Sequence, residues 1–247
     1  MKRVALITGG ARGLGLACAE RLARDGIAIM LAGPHADGLC EAAATIDALG
    51  APGGTTSVDT TVVDITTQPA CRSAVRATLE RFGRLDILIN AAGVYPRRPV
   101  LEISADDWQH VFQVNVLGTY FMMVEAIAEM REHGRGHIVN ITSIDAFKAH
   151  PANAHYAATK AAVVSLTRSL ALEVAPLGIL VNSVAPGPMA TEAAKKTDWY
   201  APMVEQLPTR RPIEPHEVAN LVAYLSHADN VSIAGENIVV SGAGVIV

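Results

Sequence analysis

Aromatic side chains are scarce: the 247 residues include two Trp, five Tyr and four Phe. Half of the chain is nonetheless hydrophobic, so its apolar content is mainly Ala, Val, Leu and Ile. That composition excludes an aromatic-rich β-sandwich and suits buried parallel strands covered by helices. Cysteine is sparse too. Cys18, Cys40 and Cys71 are odd in number, far apart and without a CxxC spacing, which argues against a disulfide framework or a zinc site. They read as small helix residues in a reducing compartment, so a cytoplasmic location and no metal are expected. With a net charge of -4 and no basic run, nucleic acid is a poor partner. Long apolar runs are missing as well. Val4 to Ile7 stops at Thr8-Gly9-Gly10, too short for a signal-peptide core, and no segment is expected to approach the ~20 apolar residues of a membrane span.

What is present is alternation. Short aliphatic runs at Val4–Thr8, Ile27–Ala32, Thr61–Asp64, Asp86–Asn90, His137–Thr142, Ile179–Ala185 and Asn237–Ser241 read as strands. Helical patterns lie between them, among them Leu14–Arg24, Ala70–Arg81, Trp108–Arg131, Tyr156–Val174 and Pro215–Leu225. Strands alternating with helices imply a parallel sheet with right-handed crossovers. A glycine-rich turn directly after the first strand favours an open doubly wound α/β sheet, Rossmann-like, over a TIM barrel. No repeat or long linker divides the chain, so residues 1–247 are expected to form one domain. Gly50 to Ser57 reads as a mobile surface loop. The segment from Pro186 to Pro215 holds six prolines and Trp199-Tyr200, and a lid-like insertion is expected around 187–214.

Thr8-Gly9-Gly10-Ala11-Arg12-Gly13-Leu14-Gly15 joins the first strand to the first helix. Glycines permit a tight turn and close backbone approach, and a helix N-terminus presents free N–H groups to a pyrophosphate. Gly9, Arg12, Gly13, Leu14 and Gly15 are therefore candidate dinucleotide contacts. The spacing is GxxxGxG, not the common GxGxxG. An NAD enzyme usually places a carboxylate at the end of the second strand, but here stand Ala32-Gly33-Pro34-His35. Arg12 is suited to a 2′-phosphate and His35 to a hydrogen bond with it. NADP is the expected cofactor, while Asp37 keeps NAD open.

Tyr156 and Lys160 are four residues apart on a predicted helix and share a face. Ser143 follows a predicted strand, at the sheet edge where α/β folds bind ligands. Together with Asp64, Asn90-Ala91-Ala92-Gly93, Asn115, Asn182 and Pro186-Gly187, these motifs resemble the short-chain dehydrogenase/reductase family over essentially the whole chain. In overall pattern they are similar to its 3-oxoacyl-reductase-like branch. The resemblance implies a Rossmann-like oxidoreductase, a homotetramer or homodimer, exchanging hydride between a nicotinamide and a small carbonyl or alcohol. Ala91 is a mild departure, since the family often repeats Asn there.

The chemistry accounts for these residue types. Reduction of a ketone needs a proton on oxygen, which Tyr156 would give. A phenol of pKa ~10 needs a shift of ~3 units, or ~4 kcal/mol, to work near pH 7. The Lys160 ammonium favours the phenolate, and the resemblance also places Lys160 on the ribose hydroxyls. Ser143 would hydrogen-bond the substrate oxygen. Asn115 resembles the family residue that holds a proton-relaying water. By the same resemblance Asp64 and Ile65 meet the adenine, Asn90, Ala91 and Gly93 line the adenosine ribose, and Met189 and Thr191 meet the carboxamide. Asn90 also suits a purely structural tie between loops.

Substrate signals diverge. Arg97, Arg98, Lys148, His150 and His155 read first as a solvated rim with charges balanced elsewhere and otherwise suit an anionic or polyhydroxylated compound, whereas Tyr95, Phe147 and Trp199 suit a cyclic or aryl ketone. An acyl-carrier-protein substrate is the alternative, although Leu177 stands where that branch carries a docking cation. A non-catalytic NADP sensor is the alternative of another class, disfavoured because all four polar catalytic positions are present. The apolar end Val245-Ile246-Val247 suggests burial against a neighbouring subunit.

Overall fold

The computed structural model describes residues 2–49 and 57–247; apart from Ser57, the loop expected at 50–57 lies outside them. Seven parallel strands form one sheet in the order β3-β2-β1-β4-β5-β6-β7. They are β1 (Val4–Thr8), β2 (Ala28–Gly33), β3 (Val58–Val62), β4 (Ile87–Asn90), β5 (Gly136–Ile141), β6 (Ile179–Pro186) and β7 (Asn237–Val240). The order reverses between β1 and β4, whose last residues Thr8 and Asn90 are paired. A doubly wound sheet opens a ligand crevice at that point, beyond the strand carboxyl ends.

Alternation along the strands feeds two cores. Ala5, Ile7, Ile29, Leu31, Ile87 and Ile89 face one side. It is covered by α1 (Gly13–Arg24), α2 (Ala36–Ala48) and α9 (Pro215–Leu225). Leu6, Met30, Leu88 and Ile138 face the other, under α3 (Gln68–Phe82), α5 (Thr119–Met130) and α6 (Ala154–Val174). Cys18 and Cys71 are buried helix residues, and Cys40 is an exposed one.

Two expected elements are corrected. The third strand lies over Val58–Val62, earlier than Thr61–Asp64, because pairing with β2 sets its register from Ile29↔Val58 to Gly33↔Val62. As a sheet edge it is only half-buried, so its apolar residues mark it poorly. The helix expected at Trp108–Arg131 is composite. After α4 (Ala105–Phe112), capped by a Ser104–Asp107 capping box, a π-helical turn spans Gln113–Gly118 before α5 begins. The helical stretch Ala105–His133 is long and apolar enough to cross a membrane, contrary to the expectation that no segment approaches that length. Half of its apolar window is buried, and Met122, Met123, Ala126 and Met130 are core residues without exposure.

Between β6 and α9 lie two short helices, α7 (Glu192–Lys195) and α8 (Tyr200–Glu205). A parallel bridge between Met189 and Ile213 closes the base of this excursion.

Candidate active site

The glycine turn is built by backbone proximity. Gly9 has φ +66°, and a Cβ there would lie 2.8 Å from the Ala92 backbone; one on Gly15 would collide with the Gly9 carbonyl oxygen. The Thr8 hydroxyl accepts the Ala92 N–H at 3.2 Å, binding the turn to the loop after β4. Helix α1 begins without a side-chain cap and without an acidic residue in its first turn. Its first N–H groups and the positive end of its dipole are therefore available to an anion. Gly13 is exposed, and a Cβ on it would have only Thr191 Cγ2 nearby, at 3.9 Å. The segment after β6 thus comes up to the glycine turn at Thr191. The Leu14 side chain enters the core, so what it offers the groove is its N–H.

A cavity of about 360 Å³ continues from Arg12 along Gly93 to Pro96, with Asp107, His110 and Val111 behind. No hydrogen bond joins Arg12 to His35 among the described residues. The two belong to adjoining segments, since a Cβ on Gly38 of α2 would touch Ala11. Asp64 is exposed after β3 and its Oδ1 accepts the Thr66 N–H at 3.0 Å. Ile65 is buried beside it and packs so closely on Gly118 that a Cβ there would clash. Asn90 is tied to Asn140 through Nδ2 at 2.9 Å, and Ala91 packs on the core. Met189 forms the base of the 187–214 segment, and the Thr191 hydroxyl caps α7 by accepting the Ala194 N–H. The cleft therefore fits an extended, phosphate-bearing dinucleotide.

Ser143, Tyr156, Lys160 and Asn115 meet beyond β4 and β5. Lys160 is buried and donates from Nζ to the Ile141 carbonyl at 2.8 Å. The same ammonium lies 5.7 Å from the Tyr156 ring centre. A Cβ on Gly93 would sit 3.6 Å from Lys160 Nζ and 3.2 Å from Asn115 Oδ1, so Gly93 is the point where the groove reaches both. The Asn115 side chain is fully buried. It accepts the Val94 N–H at 2.9 Å and donates to the Val94 carbonyl at 2.8 Å and to Thr159 Oγ1 at 3.1 Å. The π turn carries Asn115, and such turns often occur at functional positions. Thr159 and Val94 escaped the sequence reading, because no spacing links positions 94, 115 and 159.

Electrostatics follow burial. Desolvation pulls the Lys160 ammonium down to about 8. It pushes the Tyr156 phenol up from its usual value, with Asp145 adding to the rise and the Ser143 hydroxyl and Arg97 opposing it. This is opposite to the downward shift expected from Lys160, and it holds the phenol in its proton-donating form. Asp145 and Asn153 build the wall behind it. The Asp145 N–H donates to Ser143 Oγ at 3.1 Å, and its carboxylate accepts from Asn153 Nδ2 at 2.9 Å.

A parallel sheet with a dinucleotide groove at its switch point and a paired Tyr–Lys beside it defines the Rossmann-type oxidoreductases. The chain belongs to the short chain dehydrogenase family, whose model matches residues 3–200. It is an NAD(P)-dependent oxidoreductase acting on CH–OH and C=O groups. It is 35% identical over 245 residues to a gluconate 5-dehydrogenase of Gluconobacter oxydans, covering 96% of this chain and 93% of that one. To a 3-oxoacyl-[acyl-carrier-protein] reductase of Synechocystis it is 32% identical, covering 91% and 89%. Among solved structures, levodione reductase superposes with a TM-score of 0.91 at 32% identity, covering 97% and 96%. A variant of actinorhodin polyketide ketoreductase with NADPH also gives 0.91 at 29% identity, covering 98% and 96%.

Proposed function

We propose that this protein is an NADP-preferring dehydrogenase/reductase of small ketones and secondary alcohols, with Tyr156 as general acid and base. The observation that carries this reading is the Lys160 ammonium, fixed by the Ile141 carbonyl beside the Tyr156 ring and Gly93. In reduction, Tyr156 donates its phenolic proton to the substrate oxygen, while the Ser143 hydroxyl hydrogen-bonds that oxygen and steadies its developing charge. The Lys160 ammonium stabilises the phenolate that results. Asn115 keeps Val94 and Thr159 in place around the lysine and holds the proton path to it. The nicotinamide cofactor supplies or accepts the hydride when bound.

The uncapped start of α1, with Gly9, Gly13, Leu14 and Gly15, holds the pyrophosphate, and Arg12 the 2′-phosphate. The adenosine lies along Asp64, Ile65 and the Asn90, Ala91 and Gly93 backbone; Met189 and Thr191 meet the carboxamide. Residues 1–247 act as one domain, with 187–214 as its lid. Exposed Trp108, Tyr120 and Leu172, with the exposed tip Ile246-Val247, support a homo-oligomer, a tetramer by family resemblance, working in the cytoplasm.

Substrate choice favours a free small molecule. Leu177, at the position where carrier-protein reductases carry a cation, is an exposed apolar residue. The test is a panel of sugar acids, cyclic alcohols, hydroxysteroids and 3-oxoacyl thioesters, each followed by nicotinamide absorbance with NADP and with NAD. Turnover with a higher kcat/KM for NADP is expected. A clear NAD preference removes the Arg12 assignment, and turnover of carrier-bound thioesters alone removes the small-molecule reading.

A further inference from the structure

Most cations around the expected substrate entrance are already engaged. Arg98 faces Asp107 at 3.6 Å, and His155 is fully buried with its ring stacked on Trp108. Lys148 reaches the Gly244 carbonyl, and His150 lies 3.4 Å from Asp145. Arg97 differs. Its guanidinium lies 4.6 Å from the centre of the Trp199 ring, at the start of the lid helix α8. Its single side-chain hydrogen bond among the described residues runs from Nη2 to the Met203 sulfur at 3.7 Å, a weak acceptor. No ion pair involves it among the described residues.

Stacking occupies the face of a guanidinium and leaves its edge N–H groups free to donate. Arg97 belongs to the segment that packs on the catalytic tyrosine. Tyr95, two residues earlier, packs edge-on against Tyr156 with ring centres 6.4 Å apart. The positive charge of Arg97 also favours ionisation of both Tyr156 and Asp145. The wall's own carboxylate, Asp145, feels that charge but makes no ion pair or hydrogen bond with Arg97 among the described residues: it is turned to Asn153 and His150, and its Oδ1 is out of solvent reach.

We propose that Arg97 is a specificity-determining residue that binds a substrate carboxylate, so that hydroxy acids and keto acids are preferred to neutral alcohols and ketones. Trp199 presents the guanidinium, and the lid rests on the same contact. The proposal depends on the oxidoreductase reading above, since the acid must place its alcohol or carbonyl carbon at Tyr156.

Matched pairs differing mainly in the carboxylate test it: gluconate with sorbitol, mandelate with 1-phenylethanol, and 4-hydroxycyclohexanecarboxylate with cyclohexanol. In at least one pair wild type should prefer the acid in kcat/KM. Arg97→Ala should reduce that acid-to-neutral ratio by about 10- to 100-fold, the range for a lost hydrogen bond to a charged group. Arg97→Lys should restore part of it, because charge returns without the planar fork. If Arg97 only braces the lid, both members of each pair fall together; an unchanged ratio overturns the proposal. So does wild-type turnover of neutral alcohols with no preference for acids, which leaves the oxidoreductase reading standing.

A second readout needs no turnover. Trp108→Phe leaves Trp199 as the sole indole, and its fluorescence is titrated with each acid and its neutral twin in the presence of NADP. A saturable change with the acid, lost in Arg97→Ala, is expected. No change with any acid overturns the proposal. Failure of every alcohol and ketone to react, with the fluorescence response intact, counts against the oxidoreductase reading alone.

Discussion

Lys160 Nζ lies 5.7 Å from the centre of the Tyr156 ring, one helical turn along α6, and the two form one electrostatic unit. Burial brings the lysine down to about 8, so its charge is present below that pH and lost above it. For ketone reduction, kcat/KM should fall as pH rises through about 8. Lys160→Met should cost ~100-fold or more and flatten that limb. A pH profile of wild type and variant from 6 to 10 checks both.

Asn115 clamps the backbone of Val94 through both its side-chain atoms. Asn115→Ala leaves the half-buried Val94 N–H and carbonyl without their partner, at a cost of about 1–2 kcal/mol. Denaturant unfolding should show that loss. Turnover should fall further than stability accounts for, measured on the folded fraction.

The glycines of the first turn should respond unequally to alanine. Gly15→Ala forces a Cβ onto the Gly9 carbonyl, so NADP affinity should drop by at least tenfold or the chain should fail to fold. Gly13→Ala makes only an ordinary contact with Thr191 Cγ2 at 3.9 Å but keeps φ at +59°, costing about 1 kcal/mol. Fluorescence titration of NADPH, beside thermal unfolding, separates the two.

His137 is buried under α9's exit loop, where its Nε2 bonds the Asn230 carbonyl and its Nδ1 accepts from Arg3. Desolvation is the largest cause lowering its pKa, to about 4. The unfolded chain, with a histidine near 6.5, then binds more protons than the folded one between those values. Stability present above pH 6.5 is lost as pH falls toward 4, by roughly 2 to 3 kcal/mol. Tm measured across this window should decline, and His137→Gln should decline less steeply.

The frame of the fold was legible because central strands are continuous aliphatic runs. Helix α9 was read to the residue, since Pro215 opens it. The edge strand β3 was misplaced because its half-exposed pattern carries little hydrophobic signal and β2 determines its register. The π turn around Asn115 was invisible, since helical periodicity does not distinguish a π turn within a long apolar helix. Ser143, Tyr156 and Lys160 were legible as residue types at telling positions. Their partners were not: the Ile141 carbonyl is backbone, and Thr159 and Val94 become neighbours only through the fold. The cations of the substrate rim were read as one group, yet burial of His155 and the Arg98–Asp107 pair single out Arg97.

The most direct measurement is nicotinamide absorbance with Tyr156→Phe, beside NADPH binding by fluorescence. Phenylalanine keeps the ring against Tyr95 and Lys160 and removes only the proton-carrying oxygen. The expected result is a loss of turnover of ~1,000-fold or more, with NADPH affinity within about threefold of wild type. Near-normal turnover in Tyr156→Phe would contradict a proton transfer at Tyr156.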